Sequence, residues 1–548
     1  MLKETVCQYL EDSIRKNWEF VALSDYKGEG YKYSEIALKI SNLHLFFEAA
    51  NIKPGDKIAL LGKNSARWCI VYLSVISYGA VVVPILPDFK PADAEQIINH
   101  SDSVILFVED NLFEPLAFER MPALTAALRI EDFSILARRS EETTSALEKT
   151  KPAQKQEGTT IDSTSFILPK IENDKLAVIS YTSGTTGFAK GVMIPHNSLA
   201  ANIRYAQKNM PLNAGDKIVS FLPLAHTFGC AFEFLFPFTL GCHITILTKT
   251  PSPQIILQAF GEVKPSLILS VPLVVEKIYK KQVLPATSKP IIKVLLKIPL
   301  INNLILKKIR IKLELAFGGN FRELVLGGAP LNQETEKFFK KLKFPFTVGY
   351  GMTECGPLIS YVNWRENPLG ASGQIVDTLE LKIDSPDPLN ITGEILVRGE
   401  NVMYGYYKNQ EATNEAIDND GWLHTGDLGL IDHKGNIFIK GRSKSLLLGP
   451  SGKNIYPEEI ESFYNNKPGI AETVVVQRGQ KLVALIFPDQ EYFKKHETKE
   501  DQIPAVLENH RKDINNQTAS YMNVSQVEIK TEEFAKTPKR SIKRFLYS

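Results

Sequence analysis

Cysteine is scarce, at five in 548 residues. Cys7, Cys69, Cys230, Cys242 and Cys355 form no C-x-x-C pair and no Cys/His ligand spacing. The pattern excludes a disulfide-stapled scaffold and a zinc finger, and it implies reduced thiols in a cytoplasmic enzyme. An excess of either charge is also lacking: 64 Lys and Arg face 62 Asp and Glu, a net charge of +2. No global field draws such a chain to nucleic acid. Long apolar runs are missing as well. The nearest, Phe228–Leu247, contains Glu233, Pro237, Gly241 and His243, each costly in lipid, and reads as a buried helix followed by a strand. Met1–Phe20 mixes acids and bases around no apolar core, which is not the pattern of a signal peptide.

What is present is a globular composition, 44% hydrophobic and 23% charged, in a chain longer than one ordinary domain. Strand-length apolar runs alternate with helix-length segments. The runs are Ile58–Leu61, Val81–Ile85, Val104–Val108, Leu176–Ser180, Thr245–Thr248, Leu267–Val271, Leu324–Leu326 and Phe346–Val348. This alternation predicts an α/β fold, a large N-terminal domain of layered, largely parallel sheets with flanking helices. Arg67–Tyr78 predicts a buried helix ended by Gly79. After Gly441-Arg442 the pattern changes to a helix at Glu458–Tyr464, strands at Thr473–Gln477 and Leu482–Phe487, and a helix near Ile503–Asn515. The expected division is 1–441 and a small α+β domain at 442–548.

Two stretches stand apart. Residues 139–170 are polar and read as a surface loop or insertion. In Ser288–Lys312, Lys and Arg punctuate Ile and Leu. That is the pattern of an amphipathic element meeting a membrane or an acyl chain, or of packed helices with snorkelling lysines.

The segment Tyr181–Gly191 (YTSGTTGFAKG) follows a predicted strand. Gly184, Gly187 and Gly191 allow backbone N–H groups to approach an anion. The hydroxyls of Thr182, Ser183, Thr185 and Thr186 add donors, and Lys190 adds positive charge. It is not a Walker A loop, because Ala189 stands where the second glycine belongs.

With this loop the sequence resembles the AMP-forming acyl-CoA synthetase family, which also includes luciferases and peptide-synthetase adenylation domains. Further motifs agree in order: Asn64-Ser65 with Trp68, Gly79–Val81 and Pro84; Leu222–His226 (LPLAH); Gly327–Pro330 (GGAP); and Tyr350–Glu354 (YGMTE). They continue with Gly393–Ile395, Arg398-Gly399, Gly421–Asp427 (GWLHTGD) and Gly441-Arg442 before Lys444. The resemblance is strongest to bacterial long-chain fatty acid–CoA ligases. It implies two half-reactions: a carboxylate attacks the α-phosphorus of ATP, releasing pyrophosphate, and a thiol then displaces AMP. ATP, Mg2+ and CoA are the implied cofactors and co-substrates, and a fatty acid or other carboxylate is the partner molecule.

The resemblance also implies roles. Glu354 offers Mg2+ the carboxylate it needs beside phosphate oxygens, and Thr353 lies against the α-phosphate. Tyr350 and Gly351, with Gly328, Ala329 and Pro330, frame the adenine. Asp427 accepts from the ribose hydroxyls, and Arg442 pairs with ribose or phosphate. His226 borders the acyl site, followed by Phe228, Phe232, Phe234 and Phe236, which line a tunnel or fill the core. Lys444 is the hinge about which the small domain turns.

One position departs from the family. The lysine expected to reach the α-phosphate during adenylation is replaced by Ser541, with Lys539 and Lys543 two residues either side. Either a local shift lets Lys543, the first choice, or Lys539 serve, or the protein is a non-catalytic nucleotide- or fatty-acid-binding relative. An acyl–acyl carrier protein ligase is the alternative that keeps the chemistry and changes the thiol. A light-emitting oxidase shares the same motifs.

Overall fold

The computed structural model describes residues 1–139, 141, 145–146, 162–182, 189–249, 251–279, 298–448, 454–479, 481–536 and 542–547. The apolar runs become the strands of packed sheets. The largest sheet has eight strands, in the order Gly405–Tyr406, Lys190–Pro195, Leu176–Thr182, Val81–Ile85, Lys57–Leu61, Ser103–Val108, Ala126–Arg129 and Ile135–Arg138. Its five inner strands, from Leu176–Thr182 to Ala126–Arg129, pair in parallel; both edges are antiparallel. Every residue of Val81–Ile85 is buried, which is why that run is continuously apolar rather than alternating.

The predicted buried helix spans Ala66–Tyr78. Ser65 caps it by accepting from the Trp68 N–H at 3.1 Å, and Gly79 ends it at φ +90°, a left-handed conformation that costs glycine little. The Phe228–Leu247 segment is a run of short helical pieces from Thr227 to Leu240, including a π-helical turn at Cys230–Leu235, followed by the strand His243–Ile246. Among the described residues no helix is long and apolar enough to cross a membrane.

Two further sheets complete the parallel layers. Lys217–Ser220, His243–Ile246 and Val21–Asp25 pair in parallel, as do Leu267–Ser270, Glu323–Leu326 and Phe346–Val348. Four of the motif loops leave the C-terminal ends of such strands: those after Thr182, Ser220, Leu326 and Val348. Open α/β sheets bind ligands at that end.

Antiparallel structure is more extensive than the apolar runs suggest. Leu379–Asp384, Gly393–Gly399, Leu423–Ile431 and Ile437–Arg442 form a wholly antiparallel sheet. Alternation gives it away in retrospect: Leu423, Thr425, Asp427 and Gly429 are buried, and the residues between them are less so.

Beyond this sheet lies a separate hydrophobic cluster, whose buried members run from Ile455 to Val524. Here Ile470–Arg478 pairs antiparallel with Lys481–Pro488, which pairs in parallel with Val524–Ile529. Helices Pro457–Asn465 and Ile503–Gln517 pack on the sheet. The Asn332 amide donates to the Asn466 side chain, bringing this unit against the loop that follows Pro330.

Of the polar stretch 139–170, residues 140, 142–144 and 147–161 lie outside the described residues. Phe166 and Leu168 from its end are buried in the main core. Of Ser288–Lys312, residues 298–312 are described, and from Pro299 they belong to a single helix, Pro299–Ala316. All five cysteines are buried and free of disulfides.

Candidate active site

The strands Leu423–Ile431 and Ile437–Arg442 pair so that Asp427 stands opposite Arg442. Tyr350 arrives from the end of the neighbouring parallel strand. Its hydroxyl donates to Asp427 Oδ2 at 2.6 Å, and Arg442 Nε meets Asp427 Oδ1 at 2.9 Å. Burial pushes the Asp427 carboxyl above its ordinary range, against the pull of Arg442 and Tyr350. A carboxylate oxygen accepts about two hydrogen bonds, so each oxygen keeps one acceptor position for a further hydroxyl. The Tyr350 phenol is buried, with its hydroxyl committed to Asp427.

Past the short strand Tyr350–Gly351, Thr353–Cys355 makes one 3-10 turn. Gly351 is required: a Cβ there would lie 2.3 Å from the Pro357 carbonyl oxygen. The turn buries Thr353 and leaves Glu354 half-buried. The Tyr406 hydroxyl donates to Glu354 Oε1 at 2.9 Å, and the Met403 N–H donates to the Glu354 carbonyl at 2.8 Å. Among the described residues the second carboxylate oxygen of Glu354 has no hydrogen bond. Tyr406 reaches this position because Gly405–Tyr406 pairs with Lys190–Pro195, setting Tyr406 beside Val192. Its ring lies 4.8 Å from the Lys190 ammonium. Tyr406 was missed in the sequence; the only local signal is an aromatic beside Gly405.

The two described ends of the Tyr181–Gly191 segment face each other. Thr182 pairs with Lys190 across the ladder, and its hydroxyl donates to the Lys190 carbonyl at 3.4 Å. Ser183, Gly184, Thr185, Thr186 and Gly187 lie outside the described residues. Gly191 needs correction. The sequence pattern has it opening the backbone to an anion, but it sits inside a strand, where a Cβ would come within 2.9 Å of Ile179 and 3.1 Å of Tyr181. Packing accounts for that glycine.

Leu326 pairs with Val348, so Gly327 and Gly349 leave adjacent parallel strands. Gly327 is covered by the Phe228 ring, which a Cβ would approach to 3.1 Å. Gly328 takes φ +82°, and Gly328, Ala329 and Pro330 are exposed. They form an exposed, small-residue turn at the end of the strand that neighbours Phe346–Val348.

The loop carrying His226 is held from two sides. Asn64 donates to the Leu222 carbonyl at 2.7 Å and accepts from the Leu224 N–H at 2.9 Å. Glu233, fully buried, accepts from the N–H groups of Phe221 and Leu222 at 2.9 and 2.8 Å and from the Ser220 hydroxyl at 3.1 Å. Burial pushes the Glu233 carboxyl well above its ordinary range, against those three bonds. His226 Nδ1 accepts from the Phe228 N–H at 3.2 Å, which leaves Nε2 to carry the proton of the neutral ring. Phe232, Phe234 and Phe236 fill the core, with Phe234 packed edge-on to Trp68 and Tyr72. A small, mostly apolar cavity is lined by Leu224, Ala225 and Thr227 of this loop and by Cys230, Ala231 and Leu235 among others.

The profile of one protein family, described as AMP-binding enzyme, matches residues 10–407. The chain belongs to the AMP-binding enzyme family. It is 30% identical over 539 residues to the probable acyl-activating enzyme 16, chloroplastic, of Arabidopsis thaliana, covering 84% of this chain and 73% of that one. It is 28% identical over 499 residues to the long-chain-fatty-acid–CoA ligase FadD15 of Mycobacterium tuberculosis (84% and 78% covered). It is also 28% identical over 568 residues to the long-chain-fatty-acid–[acyl-carrier-protein] ligase AEE15, chloroplastic, of Arabidopsis thaliana (87% and 75%). Its fold matches that of the anthranilate CoA ligase AuaEII in complex with anthranoyl-AMP, with a TM-score of 0.78 at 21% identity, over 100% of this chain and 97% of that one.

In this AMP-binding enzyme the predicted hinge lysine follows the cluster directly, and the predicted tail lysine is on another element. Lys444 is exposed, in a 3-10 turn, Ser443–Ser445, that follows Arg442. Lys543 is half-buried on the small C-terminal unit, its N–H donating to the Ala535 carbonyl at 2.8 Å. Among the described residues no hydrogen bond or ion pair joins its ammonium to Thr353, Glu354 or Asp427. The next residue, Arg544, is tied to the buried Glu461 and lies 3.8 Å from Glu458. Lys539 and Ser541 lie outside the described residues.

Proposed function

We propose that this AMP-binding enzyme is an AMP-forming ligase that activates a long-chain fatty acid with ATP to an acyl-adenylate and passes the acyl group to CoA. One observation carries the reading: Tyr350, Asp427 and Arg442 meet beside Glu354, at the C-terminal ends of parallel strands. A buried carboxylate with spare acceptor positions suits a ribose diol, and a second carboxylate with an uncommitted oxygen suits a cation on phosphate.

Each site residue takes a proposed role in that chemistry. Asp427 accepts from the ribose hydroxyls, and Arg442 holds Asp427 and the sugar. Tyr350 and Gly351, with Gly328, Ala329 and Pro330, bound the adenine. Thr182 through Gly187, with Lys190, hold the outer phosphates, and Thr353 donates to the α-phosphate. Glu354 fits Mg2+, since its free oxygen is a hard ligand; when bound, the ion would neutralise charge on the phosphate oxygens. His226 borders the acyl site and orients the attacking carboxylate. Lys543 supplies positive charge to the α-phosphate after the unit 442–548 turns about Lys444. The long-chain preference rests on relatives such as FadD15.

Two other readings have specific support. Likeness to AEE15 favours acyl carrier protein as the acceptor. Ser541 at the expected lysine position favours a binding protein without catalysis. Thioester formation with CoA and with holo-acyl carrier protein, each with ATP and palmitate, tests the reading. Product with CoA supports it. Product with carrier protein alone moves the acceptor. No product with either, alongside intact ATP binding, removes the ligase.

A further inference from the structure

The helix Pro299–Ala316 takes up the described end of the basic, apolar stretch and continues past Lys312. One side anchors it: Leu306 and Leu313 are buried, and Ile309 packs against the main core. The opposite side exposes large aliphatic residues, with Leu304 at 63%, Ile311 at 46% and Leu315 at 65%. At about 100° per residue these three fall within about 40° of arc, one line along the helix. Lys307 lies on one flank of that line; Lys308 and Lys312 lie on the other. All three lysines are exposed, and among the described residues none of them forms an ion pair. The helix has one acid, Glu314, and it is bonded to Arg310 at 2.7 Å. Single exposed aliphatics are ordinary. A row of three between unpaired lysines is the pattern of a surface that meets both apolar chains and negative headgroups.

We infer that this face of Pro299–Ala316 docks on an anionic lipid bilayer. The helix lies in the plane of the interface, with Leu304, Ile311 and Leu315 entering the acyl boundary and Lys307, Lys308 and Lys312 at the headgroups. Charge complementarity selects this occupant: three exposed, unpaired lysines flank the aliphatic line, and the one acid of the helix, Glu314, is already bonded to Arg310. The inference is independent of the ligase reading, although a bilayer is also where a long-chain acid resides.

Flotation of the full chain with phosphatidylcholine vesicles, with and without phosphatidylglycerol, tests it. The protein is expected to float only with phosphatidylglycerol present and to be released by salt. The triple variant K307Q/K308Q/K312Q is expected to lose about a hundredfold in partition coefficient. The triple variant L304Q/I311Q/L315Q is expected to lose at least about tenfold. Thermal melts of both variants should match the parent, since every replaced side chain is exposed. Failure of the parent to float, or equal flotation of all three proteins, overturns the inference. So does a result in which the variants lose binding to an acidic carrier protein while their vesicle binding is unchanged.

Discussion

The Tyr406 hydroxyl donates to Glu354 Oε1 at 2.9 Å, while the ring of the same tyrosine lies 4.8 Å from the Lys190 ammonium. One side chain therefore ties the proposed metal carboxylate to the lysine at the exit of the phosphate loop. Tyr406→Phe keeps the ring under Lys190 and deletes the bond to Glu354. A hydrogen bond to a charged group contributes about 1.5–3 kcal/mol, and partial exposure of Glu354 trims this to the lower end. The expected outcome is a rise of about tenfold in the Mg2+ concentration needed for half-maximal pyrophosphate release. An unchanged Mg2+ dependence would show that Glu354 does not depend on Tyr406.

Asp427→Ala removes the acceptor that Tyr350 and Arg442 share. It leaves the buried Tyr350 hydroxyl without its partner, which costs about 1–3 kcal/mol of stability. Thermal denaturation should register that loss, and the KM for ATP should rise because the sugar loses its acceptor. Asp427→Asn, which can still accept from Tyr350, should recover most of the stability and little of the ATP affinity. A variant with lost stability and normal ATP affinity would make the triad structural only.

Glu323 begins the strand that leads to Gly327 and is fully buried. It accepts from the Tyr361 hydroxyl and from the Trp364 N–H at 2.6 Å, and burial pushes its carboxyl from 4.5 up to about 7. A raised folded value stabilises the fold while the carboxyl is protonated. That contribution is full below pH 4.5 and is lost as pH rises through about 7. The loss is on the order of 3 kcal/mol at most. Glu323→Gln should flatten the fall in melting temperature over this window. An identical pH profile in the variant would remove Glu323 as its source.

The two tail lysines separate by substitution. Lys543→Ala is expected to slow adenylate formation by about a hundredfold, the scale of one lost electrostatic donor, while thioester formation from synthetic acyl-adenylate stays near normal. Lys539→Ala is expected to change neither. The reverse pattern assigns the role to Lys539. If neither substitution slows the first half-reaction, neither lysine supplies the charge.

Local patterns foretold much of the fold. Ser65 and Gly79 bracket a buried helix by capping chemistry, and the continuous apolar run at Val81–Ile85 marks a strand covered on both faces. The helices at Pro457–Asn465 and Ile503–Gln517 and the strands at Ile470–Arg478 and Lys481–Pro488 follow the same logic, whereas the strand Val524–Ile529, which pairs in parallel with Lys481–Pro488, has no such local signal. Partners distant in sequence were less visible. Gly405–Tyr406 pairs with Lys190–Pro195 through backbone bonds that no side-chain pattern records, so the Tyr406 contact with Glu354 could not be read. Gly191 looks like a phosphate-loop glycine until Tyr181 is seen against it. Glu233 looked like a polar interruption in an apolar run; its meaning depends on the Phe221 and Leu222 N–H groups that fold back onto it.

The proposed activation of a fatty acid with ATP has a first half-reaction that can be measured alone. ATP–pyrophosphate exchange is followed with palmitate and Mg2+ and with no thiol present. Exchange is expected to require palmitate, to fall with shorter acids and to be abolished by Glu354→Ala. No acid-dependent exchange at any chain length, in a protein that still binds ATP, would contradict it.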